Sequence, residues 1–284
     1  MMKRFVIVFS ALLLFCSCSK PVDNLKIISF NIRYNSWNNI DGDNGWPHRK
    51  AAVVKMILEE HPAAIGLQEA LIDQLQYLDS CLPEYRRIGV GRDDGEEAGE
   101  FMAIYYDTSR LSADLSLCNT LWLSETPWEA SKGWDAACYR TVTCALFVDK
   151  KSGQWFCYDN THLDHMGAVA RAESAKYLAG LADECEGLPF ILGGDMNSTI
   201  DDTIFRALYN VGLQDARTLT DSTSHAITYN AFGGLDQSGN GTEGKVIDHF
   251  FVRDVQGLSF RTLDGDYGVP YISDHYPIEI TVKL

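Results

Sequence analysis

The chain is poor in positive charge. Its 284 residues hold 24 Lys and Arg against 39 Asp and Glu, a formal net charge of −15. Sequence-independent affinity for polyanions comes from lysine and arginine, so this balance argues against a general nucleic-acid binder. No C-x-x-C spacing occurs among the eight cysteines, which argues against a zinc ribbon or a thioredoxin-type redox site. Neither a heptad pattern nor a longer repeat is sustained, which removes coiled coils and solenoids. No Pro- or Ser-rich stretch divides the chain. Beyond the N-terminus no segment approaches the roughly 20 apolar residues of a transmembrane helix. What remains is an ordinary globular composition, 46% hydrophobic and 22% charged, with 11% aromatic residues to build a large core.

The N-terminus stands apart. Lys3 and Arg4 precede an apolar stretch, Phe5 to Phe15, broken only by Ser10, and Ser17 precedes Cys18. This run is too short to span a bilayer and reads as a secretory signal. Cysteine directly after the cleavage point resembles a bacterial lipobox, and Cys16 is the poorer candidate because bulky Phe15 precedes it. The expectation is a signal peptide over 1–17, lipidation at Cys18, a tether over 18–24 and a single domain over 25–284. Such a chain would be exported and anchored to a membrane of the bacterial cell envelope. Six cysteines remain in the domain, and their pairing stays open. Cys144 and Cys157 lie in strand-like runs and read equally well as small core residues.

From Leu25 onward strand and helix alternate. Leu25–Ile32 and Ala64–Gln68 read as buried strands. Arg49–Glu60 places Val53, Val54, Ile57 and Leu58 on one helical face, with His61-Pro62 as the stop. A second helix carries Leu71, Leu75 and Leu78, and a third covers Ala168–Cys185. Strand-like runs lie at Tyr85–Val90, Phe101–Tyr106, Leu115–Leu123, Thr141–Val148, Trp155–Asn160, Phe190–Gly193, Val246–Val252 and Ile278–Val282. Several strands follow one another without a helix, so the sheets should be mixed. One α/β domain of two packed sheets flanked by helices is expected.

Chemistry concentrates where these strands end. Asn31, Glu69, His162, Asp195 with Asn197, and the Asp274-His275 pair all follow predicted strands. Each alone is explained by a helix start, an Asx turn or a satisfied core group. Five such ends in one chain point to a single carboxylate- and histidine-lined site. Trp37, Trp46 and Trp134 are candidates for a substrate mouth. The remaining histidines, His165 and His249 among them, have ordinary surface or core explanations.

The segments ISFNIR (28–33), GLQEA (66–70), NTHLDH (160–165), GGDMNS (193–198), IDHFFV (247–252) and SDHYPI (273–278) resemble, in order, the endonuclease/exonuclease/phosphatase superfamily. That resemblance implies a four-layer α/β sandwich of the deoxyribonuclease I type and hydrolysis of a phosphate ester with Mg²⁺, or alternatively Mn²⁺ or Ca²⁺. It implies Glu69, Asn31 and Asp274 at the metal. Asp195 and His275, with Asp248 orienting the imidazole, would act on the attacking water. His162 paired with Glu100 would stabilise the pentacovalent state or protonate the leaving oxygen. Asn197, Arg140 and Thr228 would hold phosphate oxygens. The acid excess and the loops 38–45 and 93–100, both acidic, favour a small or lipid-like phosphodiester. A nuclease is the alternative, with a phosphomonoesterase or a non-catalytic binding lipoprotein behind it. A monomer without strong nucleic-acid binding is expected. The exception to watch is a local basic patch at Arg86, Arg87 and Arg92.

Overall fold

A computed structural model describes residues 24–185, 187–220, 227–234 and 245–284. The expected signal peptide, Cys18, the tether through Asp23, and His225 lie outside the described residues.

The chain opens with β1 (Leu25–Asn31), α1 (Trp46–Glu60), β2 (Ala64–Gln68) and α2 (Ile72–Cys81). Six strands follow: β3 (Tyr85–Ile88), β4 (Ile104–Asp107), β5 (Leu111–Ala113), β6 (Asn119–Trp122), β7 (Thr141–Asp149) and β8 (Trp155–His162). Then come α3 (Ala168–Glu184), β9 (Phe190–Asp195), α4 (Arg206–Asn210) and β10 (Gln214–Asp215). The last strands are β11 (Asp248–Arg253), β12 (Gln256–Thr262) and β13 (Ile278–Lys283). One sheet runs β12-β13-β1-β2-β4-β3; the other runs β10-β11-β9-β8-β7-β5, with β6 also on β7. Within each sheet one pair is parallel, β1 with β2 and β8 with β9, and the other pairs are antiparallel. The sheets are mixed, as expected. No helix among the described residues is long and apolar enough to cross a membrane.

Three apolar clusters separate four layers. Ile28 and Phe30 of β1 pack with Val53, Met56 and Ile57 of α1 and with Leu75 and Leu78 of α2. Leu25 and Ile27, the opposite parity of β1, pack between the sheets with Phe156, Tyr158, Ile191, Phe250 and Ile280. Leu178, Leu192, Phe205 and Phe251 form the third cluster, where α3 and α4 cover the second sheet. Period-two alternation therefore sends one row of each central strand to a helix layer and the other to the inter-sheet core. The sheets approach so closely at Gly66 that a Cβ there would strike the Tyr158 hydroxyl.

Several local expectations shift. α1 starts at Trp46, with Pro47 in its first turn, rather than at Arg49. Leu58 lies a quarter turn beyond Ile57 and is 57% exposed, outside the buried stripe. Leu115 and Leu117 are exposed ahead of β6, which covers only Asn119–Trp122. Cys157 is not a free core thiol: it is disulfide-bonded to Cys185, joining β8 to the end of α3. Cys144 is free.

Candidate active site

The inter-sheet rows turn polar at one end of the sandwich. On β1 the inward row reads Leu25, Ile27, Ser29, Asn31; on β8 it reads Phe156, Tyr158, Asn160, His162. On β9 it continues from Ile191 through Gly193 to Asp195, and β11, running the other way, begins its inward row at Asp248. Asn160, one step below the end, is fully buried; its amide donates to Leu67 O at 2.9 Å and Ala103 O at 3.0 Å, and Gln68 Nε2 donates to its Oδ1 at 2.6 Å. These hydrogen bonds tie the two sheets together directly under the site.

Above it lies a cleft of ≈ 550 Å³. Glu69, Glu100, Arg140, His162, Asp195, Asn197, Asp274 and His275 all line it, so most of the expected residues converge on one cavity. Asn31 sits just beneath. Its Nδ2 donates to Glu69 Oε1 and to Asp195 Oδ2, each at 3.0 Å, while its Oδ1 accepts from Arg33 N. Asn31 therefore spaces two carboxylates with its amide nitrogen, while its oxygen is held by the backbone of Arg33. Asp248 Oδ2 accepts from His275 Nδ1 at 2.9 Å, and His275 Nε2 stands 3.6 Å from Asp195 Oδ2. Burial opposes protonation of this ring most strongly, yet Asp248, Asp195 and Asp274 together raise its pKa well above that of a free imidazole. The Asp195 carboxyl is raised by burial and by the neighbouring Asp248.

Arg33, Glu69 and Asn197 adopt left-handed backbone, with φ of 56°, 60° and 47°. Such conformations cost non-glycine residues of order 1–3 kcal/mol each, and here they surround one cleft. Buried Arg49 holds two of the supporting segments. Its guanidinium donates to the carbonyls of Ile32, Arg33, Asn44 and Ile272, tying the turn after β1 to the loop leading into Asp274.

Several placements depart from expectation. Glu100 is bonded to Arg92 at 2.6 Å rather than to His162, whose Nδ1 is buried without a partner. His162 Nε2 instead faces Asn197 Nδ2 at 3.0 Å and Asp195 Oδ2 at 3.4 Å. Thr228 is off the cleft wall. Its hydroxyl accepts from Ile247 N and Asp248 N, so it anchors the start of β11 and does not meet a phosphate. His165 is on the wall, 2.9 Å from Arg140 through Nδ1. Trp46 is core, and Trp37 is 94% exposed; neither they nor Trp134 line the cleft.

Sequence reasoning missed Arg33, Tyr34, Tyr229 and Lys245 on the wall and held Arg92 only as part of a surface patch. Arg33 follows the Asn31 motif directly and was the findable one. The acids of the 93–100 loop split: Asp93, Asp94, Glu96 and Glu97 are exposed, whereas Glu100 and Arg92 face the cleft.

The donor set fits a hard divalent cation. Glu69 and Asp274 offer carboxylate oxygens on one wall, and Asp248 Oδ1 is buried without a hydrogen-bond partner. The ligand atoms of Asp195, Asp248 and His275 lie within 4.8 Å of one another, but the Asp248–His275 bond already commits that trio to each other. A second grouping, Cys138, Asp164 and His165, is unsuited to metal. Asp164 accepts from Ala137 N, Cys138 N, Arg140 Nε, Met166 N and Gly167 N, leaving no free lone pair toward an ion.

Comparison with known proteins agrees with this geometry. No curated protein sequence matches the chain. Among solved structures, a mannosyl-6-phosphatase from Bacteroides thetaiotaomicron superposes with a TM-score of 0.82 at 32% identity, covering 92% of this chain and 100% of its own. An endonuclease/exonuclease/phosphatase from Bacteroides vulgatus does so with a TM-score of 0.82 at 32% identity over 92% and 99%. D. rerio TDP2, solved with a single-strand DNA product, shares the fold at 19% identity, with a TM-score of 0.68 over 92% and 99%. The model of the endonuclease/exonuclease/phosphatase family matches residues 28–275, and the chain belongs to that family.

Proposed function

We propose that this chain is an exported, Mg²⁺-dependent phosphoric ester hydrolase whose substrate is a small hydrophilic phosphomonoester, with phosphorylated sugars the best-fitting class. Members of the family cleave phosphoric esters with a divalent metal. The observation that carries the substrate class is the cleft wall. Arg33, Arg92, Arg140 and Lys245 stand around an acidic and imidazole floor, and side chains with apolar surface are confined to Tyr34, Tyr229, Ile247 and Cys138. A monoester phosphate carries about 1.5 to 2 negative charges near neutral pH and a diester one. These cations therefore suit the monoester once a bound metal offsets Glu69, Glu100, Asp195 and Asp274 on the same wall. Among the described residues an acyl chain would meet only these few apolar surfaces, which weakens the lipid-like diester favoured from composition. The mannosyl-6-phosphatase relative supports the same direction.

The chemistry follows from the hydrogen bonds. Asp248 fixes the Nδ1–H tautomer of His275, so Nε2 faces the cleft and takes a proton from the attacking water. Glu69 and Asp274 would hold a divalent cation, which would supply charge neutralisation on the phosphate oxygens. Asp195 and Asn197 orient the water and one oxygen; Arg140 and Lys245 hold the others. His162 Nε2 accepts from the Asn197 amide, and burial with nearby Arg140 pushes the ring's pKa well below that of a free imidazole. It would serve the leaving oxygen as an acid only after gaining a carboxylate at Nδ1. No covalent enzyme intermediate is needed.

The Cys157–Cys185 disulfide supports export, because such bonds persist in oxidising compartments. Asn24 enters β1 at the end opposite the cleft, about 20 Å away along the strand. A lipid anchor at Cys18 would leave the cleft facing away from the membrane, open to soluble substrate. We take the protein to act as a monomer with no strong nucleic-acid affinity.

The test is a panel in Mg²⁺ comparing mannose 6-phosphate, p-nitrophenyl phosphate, bis-p-nitrophenyl phosphate, sphingomyelin vesicles and plasmid DNA. The monoesters should be turned over fastest. Faster hydrolysis of a diester, vesicles or plasmid would overturn the substrate class.

A further inference from the structure

Two buried polar atoms beside the cleft lack hydrogen-bond partners: Nδ1 of His162 and Nε of Arg92. The carboxylate between their roles, Glu100, is held by Arg92 Nη1 at 2.6 Å. All three residues line the same cavity. The nearest other acid to Arg92 Nε, Asp93, is 3.8 Å away and half-exposed, too far for a hydrogen bond. Arg92 thus has an unused donor and an ion pair with a carboxyl group that burial and nearby Glu69 both push toward its neutral form. That partner is a weak competitor for an incoming anion.

The loop that presents Arg92 is built to hold it there. Trp122 Nε1 donates to Arg92 O at 2.7 Å, and Arg92 N donates to Glu100 O at 3.1 Å. Gly91 packs against the Ala98 backbone, where any Cβ would collide. The arginine is fixed at its backbone while its guanidinium keeps a choice of partners.

We propose that Arg92 reads the charge of the substrate phosphate by exchanging partners: the guanidinium leaves Glu100 for phosphate oxygens, and Glu100 moves to the bare Nδ1 of His162. The exchange couples recognition to the acid that serves the leaving group, because a carboxylate at Nδ1 fixes the tautomer and raises the basicity of the ring. A dianionic monoester competes for Arg92 better than a monoanionic diester, which makes Arg92 a specificity-determining residue. This inference rests on the hydrolase reading above.

The experiment uses the full domain with Mg²⁺ and the variants Arg92→Gln and Arg92→Lys, with melting temperature as the check on folding. Inorganic phosphate is the binding probe, followed by calorimetry. Its affinity should fall at least about tenfold in Arg92→Gln, the loss expected for a charge-assisted hydrogen bond, and less in Arg92→Lys. In parallel, kcat/KM for p-nitrophenyl phosphate should fall at least about tenfold more than for bis-p-nitrophenyl phosphate. A downfield imidazole N–H resonance, absent in His162→Gln, should appear on adding phosphate to the wild type and be present without phosphate in Arg92→Gln. Unchanged phosphate affinity, equal losses for both esters, or no such resonance at saturating phosphate would each overturn the proposal. Failure of the hydrolase reading is distinguishable, since a wild type that cleaves no monoester would still reveal Arg92-dependent phosphate binding.

Discussion

An imidazole ringed by carboxylates holds its proton, and His275 is in that position between Asp248, Asp195 and Asp274. It becomes a base only when positive charge offsets those acids, which ties the histidine to the cation its neighbours can bind. His275→Ala is expected to lower kcat on p-nitrophenyl phosphate by at least about 10²-fold, the lower range for a positioned base. Asp195→Ala should behave alike, and near-normal kcat in either variant removes that residue from the reaction. A second residue-scale prediction lies away from the cleft. Buried Asp159 on β8 has its carboxyl pushed up to about 7 by desolvation. The folded state therefore binds a proton that the unfolded state has already released between about pH 4 and 7. Stability from this group is full below pH 4 and is lost as pH rises through 7. Asp159→Asn should accordingly raise the melting temperature at pH 8 relative to wild type more than it does at pH 4.5. An equal shift at both values would contradict this.

At the scale of elements, the disulfide joins β8 to the end of α3 across 28 residues. Closing a loop of that length stabilises by about 3.5 kcal/mol in the chain-entropy account. Cys185→Ser should lower the unfolding free energy in urea by about that amount, and a change below about 0.5 kcal/mol would show the bond adds little. Neither its existence nor its pairing was legible, since spacing carries no geometry. The central strands were legible because their buried rows are apolar. β5 and β10 were not, having three and two residues, and β12 (QGLSFRT) lacks a clear alternation. The same logic divides the site. Asn31, His162, Asp195 and Asp248 sit where an inward row turns polar, a pattern visible in sequence. Arg33, Arg92 and Lys245 arrive from loops on long side chains, and no periodicity announces them. Thr228 was misjudged because a hydroxyl near the site serves the backbone of β11 as readily as a phosphate.

The whole molecule carries −15 but concentrates four cations on the wall of one cleft. Glu69, Glu100, Asp195 and Asp274 line the same cleft, so a small anion would enter it only with a bound metal offsetting those acids, whereas a long polyanion must also pass the acidic exterior. Net charge argued only against long polyanions and left room for a small ester, and the cations on the cleft wall give such an ester its contacts. The four layers serve this arrangement: two sheets bury their apolar rows against each other and leave their polar ends gathered at one rim. Hydrolysis at that rim by a cation that Glu69 and Asp274 hold is the central claim. It is tested most directly by following p-nitrophenyl phosphate turnover after exhaustive EDTA treatment, then on titrating Mg²⁺ back into wild type and Glu69→Ala. The account predicts no turnover without metal, full recovery in the wild type, and recovery in Glu69→Ala only at much higher Mg²⁺. Turnover that survives chelation, or a Glu69→Ala titration identical to wild type, would contradict it.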